Sequence, residues 1–178
     1  MKNSLRVLAI LFAACTVGSA GSIASAETGM AKINGIGENS AVSGEVKILE
    51  VDNGLEISID VKNAPAGNHG IHIHQYGSCE ENGLGAGGHF NPDQSNHGEV
   101  ENRSVYEVHP GDLGNIKIDA DGSGSKTLFV ESLGLTENIF NVAGRAIILH
   151  EKEDDFGQPT GNAGGRIGCG TIAIVKDA

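Results

Sequence analysis

Polar and apolar residues alternate along much of the chain. Leu55, Ile57, Ile59 and Val61 interleave with Glu56, Ser58, Asp60 and Lys62, the period of two that sends one row of side chains to a core and the other to water. Residues 43–51 form a similar segment, with Asp52, Asn53 and Gly54 between the two. An Asn–Gly pair between strand-like runs predicts a hairpin, because both residues tolerate positive φ. Further strands are predicted at 31–36, 70–75, 115–119, 125–130, 145–150 and 171–175, about eight in all. No run carries the 3.6 period of a long amphipathic helix, and 27 glycines suit a chain of strands and turns. Parallel strands need long crossovers, so the sheet is expected to be antiparallel. The predicted fold is all-β, an eight-stranded antiparallel Greek-key β-sandwich or flattened barrel of immunoglobulin-like kind. Two long glycine-rich stretches, 76–114 and 151–168, stand outside the pattern. Such loops on a rigid β scaffold are where function concentrates.

The first 26 residues read differently. Lys2 and Arg6 precede an apolar run at 7–17, and small residues follow, ending in Ala24, Ser25 and Ala26. That order predicts a secretory signal peptide cleaved after Ala26, and the run is too short for a permanent membrane span. Residues 27–178 then form one domain of 152 residues, enough for a real core. Export places that domain in the periplasm or outside the cell. Phe12 to Cys15 also resembles the lipid-attachment box of bacterial lipoproteins, with Phe12 atypical. A lipid anchor at Cys15 therefore stands as an alternative to free release.

Charge narrows the partners. The chain carries −11, and losing Lys2 and Arg6 takes the mature domain to −13. Nucleic acid and anionic membrane surfaces both need a basic footprint, and none is present. The mature domain keeps two cysteines, Cys79 and Cys169. In an oxidising compartment two cysteines read as one disulfide, and no C-x-x-C pair supports a thiolate metal site.

The histidines carry the chemistry. His72 and His74 stand two apart on a predicted strand, so their rings leave one face while Ile71 and Ile73 leave the other. The first long loop adds His89, His97, His109 and Asp112, and His150 ends a predicted strand just before the second loop. Three histidines and an aspartate suit tetrahedral zinc. An all-imidazole set suits copper, whose affinity for nitrogen ligands leads the divalent first-row series. Two four-coordinate metals need eight positions, and seven side chains are on offer. Either water fills one position or one imidazole uses both its nitrogens. Spacing alone leaves both open.

The segments GIHIH at 70–74, GHFNP at 88–92, HPGDLGN at 109–115, HEKEDD at 150–155 and GNAGGRIGC at 161–169 closely resemble the copper–zinc superoxide dismutases, in the right order and across nearly all of the mature chain. The resemblance implies an enzyme that disproportionates superoxide to oxygen and hydrogen peroxide through a Cu(II)/Cu(I) cycle. One copper and one zinc per subunit follow, zinc in a structural and tuning role. It implies that His72, His74, His89 and His150 hold copper, and that His89, His97, His109 and Asp112 hold zinc, with His89 shared. Asp154 matches an aspartate that hydrogen-bonds one histidine of each set, and Arg166 matches the arginine that holds the anion beside copper. His89 also carries a proton in the family's cycle. Cys79 and Cys169 match the family disulfide, tying the first loop to the last strand. His69 takes a structural place in the family pattern, and strand parity turns its ring away from His72 and His74. Thr160 matches a channel residue, yet the steering lysine of the animal members is missing from 156–161. Attraction of the anion therefore falls to Arg166 and the metal charges. Family members occur as monomers and dimers, so a homodimer is one arrangement the resemblance implies.

Overall fold

Turn chemistry sets the hairpin predicted around Asp52–Gly54. In the computed structural model, which describes residues 26–37, 40–101, 103–136 and 139–175, strand β2 (Ser43–Val51) pairs with β3 (Gly54–Lys62) through a two-residue turn. The turn residues are Asp52 and Asn53, one place earlier than the Asn–Gly rule predicts, and Asn53 takes φ +68°. Gly54 is instead the first strand residue, paired with Val51, and the position needs glycine because a Cβ there would strike the Val130 carbonyl and lie 2.9 Å from the Phe129 ring. Along β3 the predicted alternation holds: Leu55, Ile57, Ile59 and Val61 are buried while Glu56, Asp60 and Lys62 are exposed. The predicted signal peptide and Cys15 lie outside the described residues.

The remaining strands are β1 (Thr28–Gly35), β4 (Gly67–Ile73), β5 (Asp112–Ile118), β6 (Gly124–Glu131), β7 (Ala146–His150), β8 (Arg166–Thr171) and β9 (Ala173–Val175). Their order is β5-β4-β7-β8-β1-β2-β3-β6, with β9 added to β1, and every pairing between strands is antiparallel. The end strands β5 and β6 are consecutive in the chain and joined by a tight turn, where Asp119 N donates to Ser123 O at 2.8 Å. The sheet thus curls until its edges meet, the flattened barrel expected from the sequence.

Several boundaries move, and two of them bear on the loops; the predicted 171–175 strand is also divided between the end of β8 and β9. The second loop was expected to run to Gly168, but β8 begins at Arg166. Gly168 and Gly170 leave no side chain for a period to act on, and they let the strand approach β1 closely. A Cβ on Gly170 would lie 2.5 Å from the Lys32 carbonyl. The predicted 115–119 strand begins earlier, at Asp112, so that residue stands on a strand and not in a loop.

Strands β4 and β7 are neighbours in the order, and from His69 onward β4, like all of β7, is buried on both faces. Inward, Ile71, Ile73, Ile147 and Leu149 join the main core. Outward, the same strands turn His72 and Ile148 toward the two long loops, which cover them. Ile148 forms a small second cluster with Ala86, Ala146 and Cys169. The barrel therefore offers one rigid outer wall roofed by loops, and the histidines occupy it.

Candidate metal centre

His72 lies on β4, His74 follows its end, and His150 closes β7 beside them. The backbone brings His89 across through an isolated antiparallel bridge between His74 and His89, with Gln75 N donating to Gly88 O at 2.9 Å. His72, His74, His89 and His150 place one nitrogen each within 4.8 Å of one another. His89, His97, His109 and Asp112 form a second such group, and only His89 belongs to both. The His72 and His89 rings are 4.1 Å apart. His69 joins neither group. Its ring nitrogens lie 2.8 Å from the His150 carbonyl and 2.9 Å from the Pro65 carbonyl, which ties β4 to the end of β7.

Each imidazole has two nitrogens, and their outer partners decide which one is free to ligate. His74 Nδ1 lies 2.9 Å from the Gly87 carbonyl, which leaves Nε2 for the first group. His150 Nδ1 faces the Gly164 carbonyl at 3.4 Å, and its Nε2 is 3.3 Å from His74 Nε2. His72 Nε2 is held by Asp154 Oδ2 at 2.8 Å, and His97 Nε2 by Asp154 Oδ1 at 2.9 Å. His89 differs, since Nδ1 sits 2.7 Å from Asp112 Oδ1 inside the second group and Nε2 is left for the first.

The donors left over fit a metal in both groups. His72 Nδ1 and His97 Nδ1 are fully buried and make no hydrogen bond. His97 Nδ1 is 2.7 Å from Asp112 Oδ2, near enough for an ion pair but out of line for a hydrogen bond. Unpartnered buried nitrogens are costly in a folded protein unless something else binds them. Buried nitrogens and carboxylate oxygens gathered within 4.8 Å of one another, two of them without any hydrogen bond, are the arrangement a cation needs.

Charge is arranged to match. Burial, reinforced by the neighbouring imidazoles of His89 and His150 and by the Arg166 charge, lowers the His74 pKa to about 2. Burial likewise lowers His150 to about 3 and His89 to about 4. The first group is thus held neutral, the form that ligates. The second group is opposite. Burial pulls on His97, but Asp112 and Asp154 outweigh it and hold the ring raised to about 9. Burial also opposes the ionised forms of Asp112 and Asp154, yet their histidine partners keep both well below the usual carboxylate range.

Asp154 is the hinge between the groups. Asn115 fixes its backbone through a reciprocal pair, Asn115 Nδ2 to Asp154 O at 2.9 Å and Asp154 N to Asn115 Oδ1 at 2.8 Å. Gly161, at φ +75°, lies against its carboxylate, and a Cβ there would overlap Asp154 Oδ1 and come within 2.5 Å of His97 Nε2. Gly161→Ala should therefore push Asp154 off both rings. Metal affinity, read by competition with a chelator of known strength, is expected to fall about 10–100-fold, the usual cost of losing a partner behind a ligand.

A cavity of about 510 Å³ opens onto the first group and is bordered by His74, His89, His150, Thr160 and Arg166. Arg166 donates Nη1 to the Gly83 carbonyl and Nη2 to the Gly87 carbonyl, the latter at 2.5 Å. Among the described residues no carboxylate pairs with it, so its charge faces the cavity uncompensated. Cys79 and Cys169 form a disulfide that ties the segment carrying those carbonyls to β8. Every site residue expected from the sequence thus lies at this one wall. Asn115 was visible only as part of a motif, and the contact of Gly161 with Asp154 had no signal at all.

The sequence profile of the family described as copper/zinc superoxide dismutase matches residues 42–172. The extracellular copper–zinc superoxide dismutase of Caenorhabditis elegans is 38% identical over 130 residues, which cover 69% of this chain and 57% of that protein. Copper–zinc superoxide dismutase 5 of Dictyostelium discoideum is 36% identical over 156 residues, 78% of this chain and 95% of that one. Among solved structures, the crystal structure of the clock protein EA4 superposes with a TM-score of 0.74 at 31% identity, covering 83% of this chain and 94% of that one.

Proposed function

The chain belongs to the copper–zinc superoxide dismutase family, and from that premise we propose that it removes superoxide outside the cytoplasm by disproportionation. Two superoxide anions and two protons give one oxygen and one hydrogen peroxide. The observation that carries the reading is His89, the one imidazole common to both ligand groups. His72, His74, His89 and His150 hold copper in this reading, and His89, His97, His109 and Asp112 hold zinc. Copper supplies a Cu(II)/Cu(I) couple when bound, and zinc a fixed d¹⁰ charge without redox chemistry.

The chain's own residues do the rest. Arg166 draws the anion into the cavity and holds it against the first group, although the mature domain carries −13. A local cationic patch suffices, because screening confines the acidic surface to about 8–10 Å. His89 Nε2 opens on the same space and, whenever it is not engaged by a metal, would hold a proton for the departing peroxide, while Nδ1 stays anchored beside Asp112. Asp154 keeps His72 and His97 from turning.

Mature protein loaded with copper and zinc should consume superoxide and release half an equivalent of peroxide. Metal-loaded protein without that activity would overturn the reading. A second outcome concerns protons. Metal-free protein at pH 7 carries a proton on His97, whose pKa is raised, and none on His74 or His150, whose pKa values are lowered. Zinc uptake should therefore release about one proton from His97, and copper uptake none from His74 or His150. Calorimetric titration in two buffers of different ionisation enthalpy counts them.

Export rests on the predicted signal and on the extracellular nematode relative. Among the described residues no helix is long and apolar enough to cross a membrane. Mass spectrometry of the mature N-terminus separates cleavage after Ala26 from lipid at Cys15. Light scattering decides whether two chains pair, the arrangement many family members use.

A further inference from the structure

The zinc group is covered by a different part of the molecule from the copper group. A cavity of about 410 Å³ reaches His97 and is bordered by Gly98, Glu99, Arg103, Phe156 and Gln158. It shares no lining residue with the cavity at Arg166. Across it lies an amide clamp: His97 N donates to Gln158 Oε1 at 3.0 Å, and Gln158 Nε2 donates to His97 O at 2.9 Å. The side chain thus pairs with the backbone as a neighbouring strand would. Phe156 adds a stacked ring, 26° off parallel and 6.5 Å from the His97 ring by centroids. Gln158 and Phe156 are themselves exposed, whereas His97 is buried.

We propose that Gln158 is a positioning residue that latches His97 and closes a second port, through which zinc enters and leaves independently of the Arg166 cavity. Two contacts hold His97 from the same loop. Asp154 takes ring Nε2 and Gln158 takes the main chain, and together they aim Nδ1 at the second group. Only the Gln158 half lies at the surface, so it can open without disturbing the buried carboxylate.

The inference rests on His97, His109, Asp112 and His89 being the zinc ligands. Its test reads metal exchange, not catalysis. Zinc release from fully loaded protein to a chromophoric chelator should speed up about tenfold or more in Gln158→Ala, the scale of two lost hydrogen bonds. Gln158→Glu keeps the acceptor for His97 N and loses the donor to His97 O, so its rate should fall between. Copper release should stay at the wild-type rate in both. With cobalt in place of zinc, the visible ligand-field bands should shift in Gln158→Ala, which a loop loosened far from His97 would not cause. Unchanged zinc release overturns the latch. So does equal acceleration of both metals together with a lower melting temperature of the metal-free protein, because that is general loosening. If wild-type protein takes up no zinc, the ligand assignment itself fails. If it takes up zinc and consumes superoxide while Gln158→Ala changes nothing, only the latch does.

Discussion

His89→Ala should reduce superoxide consumption by at least about a hundredfold. Removing a group behind a metal ligand commonly costs 10–100-fold, and this substitution removes a ligand that two metals share. Three consequences follow from its place. The first group drops to His72, His74 and His150, and the second to His97, His109 and Asp112. The proton store at Nε2 disappears. Asp112 also loses one of the three histidines that hold its carboxylate ionised. Metal analysis must accompany the assay. Protein that keeps both metals near wild-type levels but loses activity would place the role of His89 in proton delivery more than in holding the ions. Activity within a few-fold of wild type would remove His89 from the mechanism altogether.

Much of this centre is legible in the sequence because its parts are side chains with their own chemistry. The His72 and His74 pair follows from strand parity, and parity also excludes His69, whose ring reaches the Pro65 and His150 carbonyls instead. Counting ligands against coordination positions raises a shared imidazole before any geometry is known. What stays hidden is work done by the backbone or by the absence of a side chain. Strand β8 carries Gly168 and Gly170, so hydrophobic periodicity has nothing to register there. Gly161 matters for what its position would not tolerate, and a loop glycine in the sequence looks like any other. Gln158 resembles an ordinary solvated loop residue until its amide is seen against the main chain of His97, a residue 61 positions away. Asp112 reads as a loop ligand, yet its place on β5 and the bond from Gly98 N at 2.9 Å make it one of the better fixed atoms in the group.

The other large effect should come from replacing both cysteines, as Cys79→Ser with Cys169→Ser. The bridge spans 90 residues, and on the chain-entropy account a loop of that length stabilises by about 4–5 kcal/mol. For a domain of this size each kcal/mol moves the melting temperature by roughly 2–4 °C, so a fall of about 10–20 °C is expected by calorimetry. Activity should fall too, and before unfolding. The segment after Cys79 carries the Gly83 and Gly87 carbonyls that grip the Arg166 guanidinium, and Gly83 N itself donates to the Cys79 carbonyl at 3.2 Å. Freed from β8, that segment no longer holds the arginine to the cavity. Arg166→Ala separates the two roles, since it removes the charge and leaves the bridge. It should lower kcat/KM about tenfold or more and flatten its dependence on salt, with metal content and melting temperature close to wild type. The double serine variant, assayed well below its own melting temperature, should show the same loss and the same flattened salt dependence. Full activity there would mean that the Gly83 and Gly87 carbonyls hold Arg166 without the bridge, leaving the disulfide a stabilising link alone.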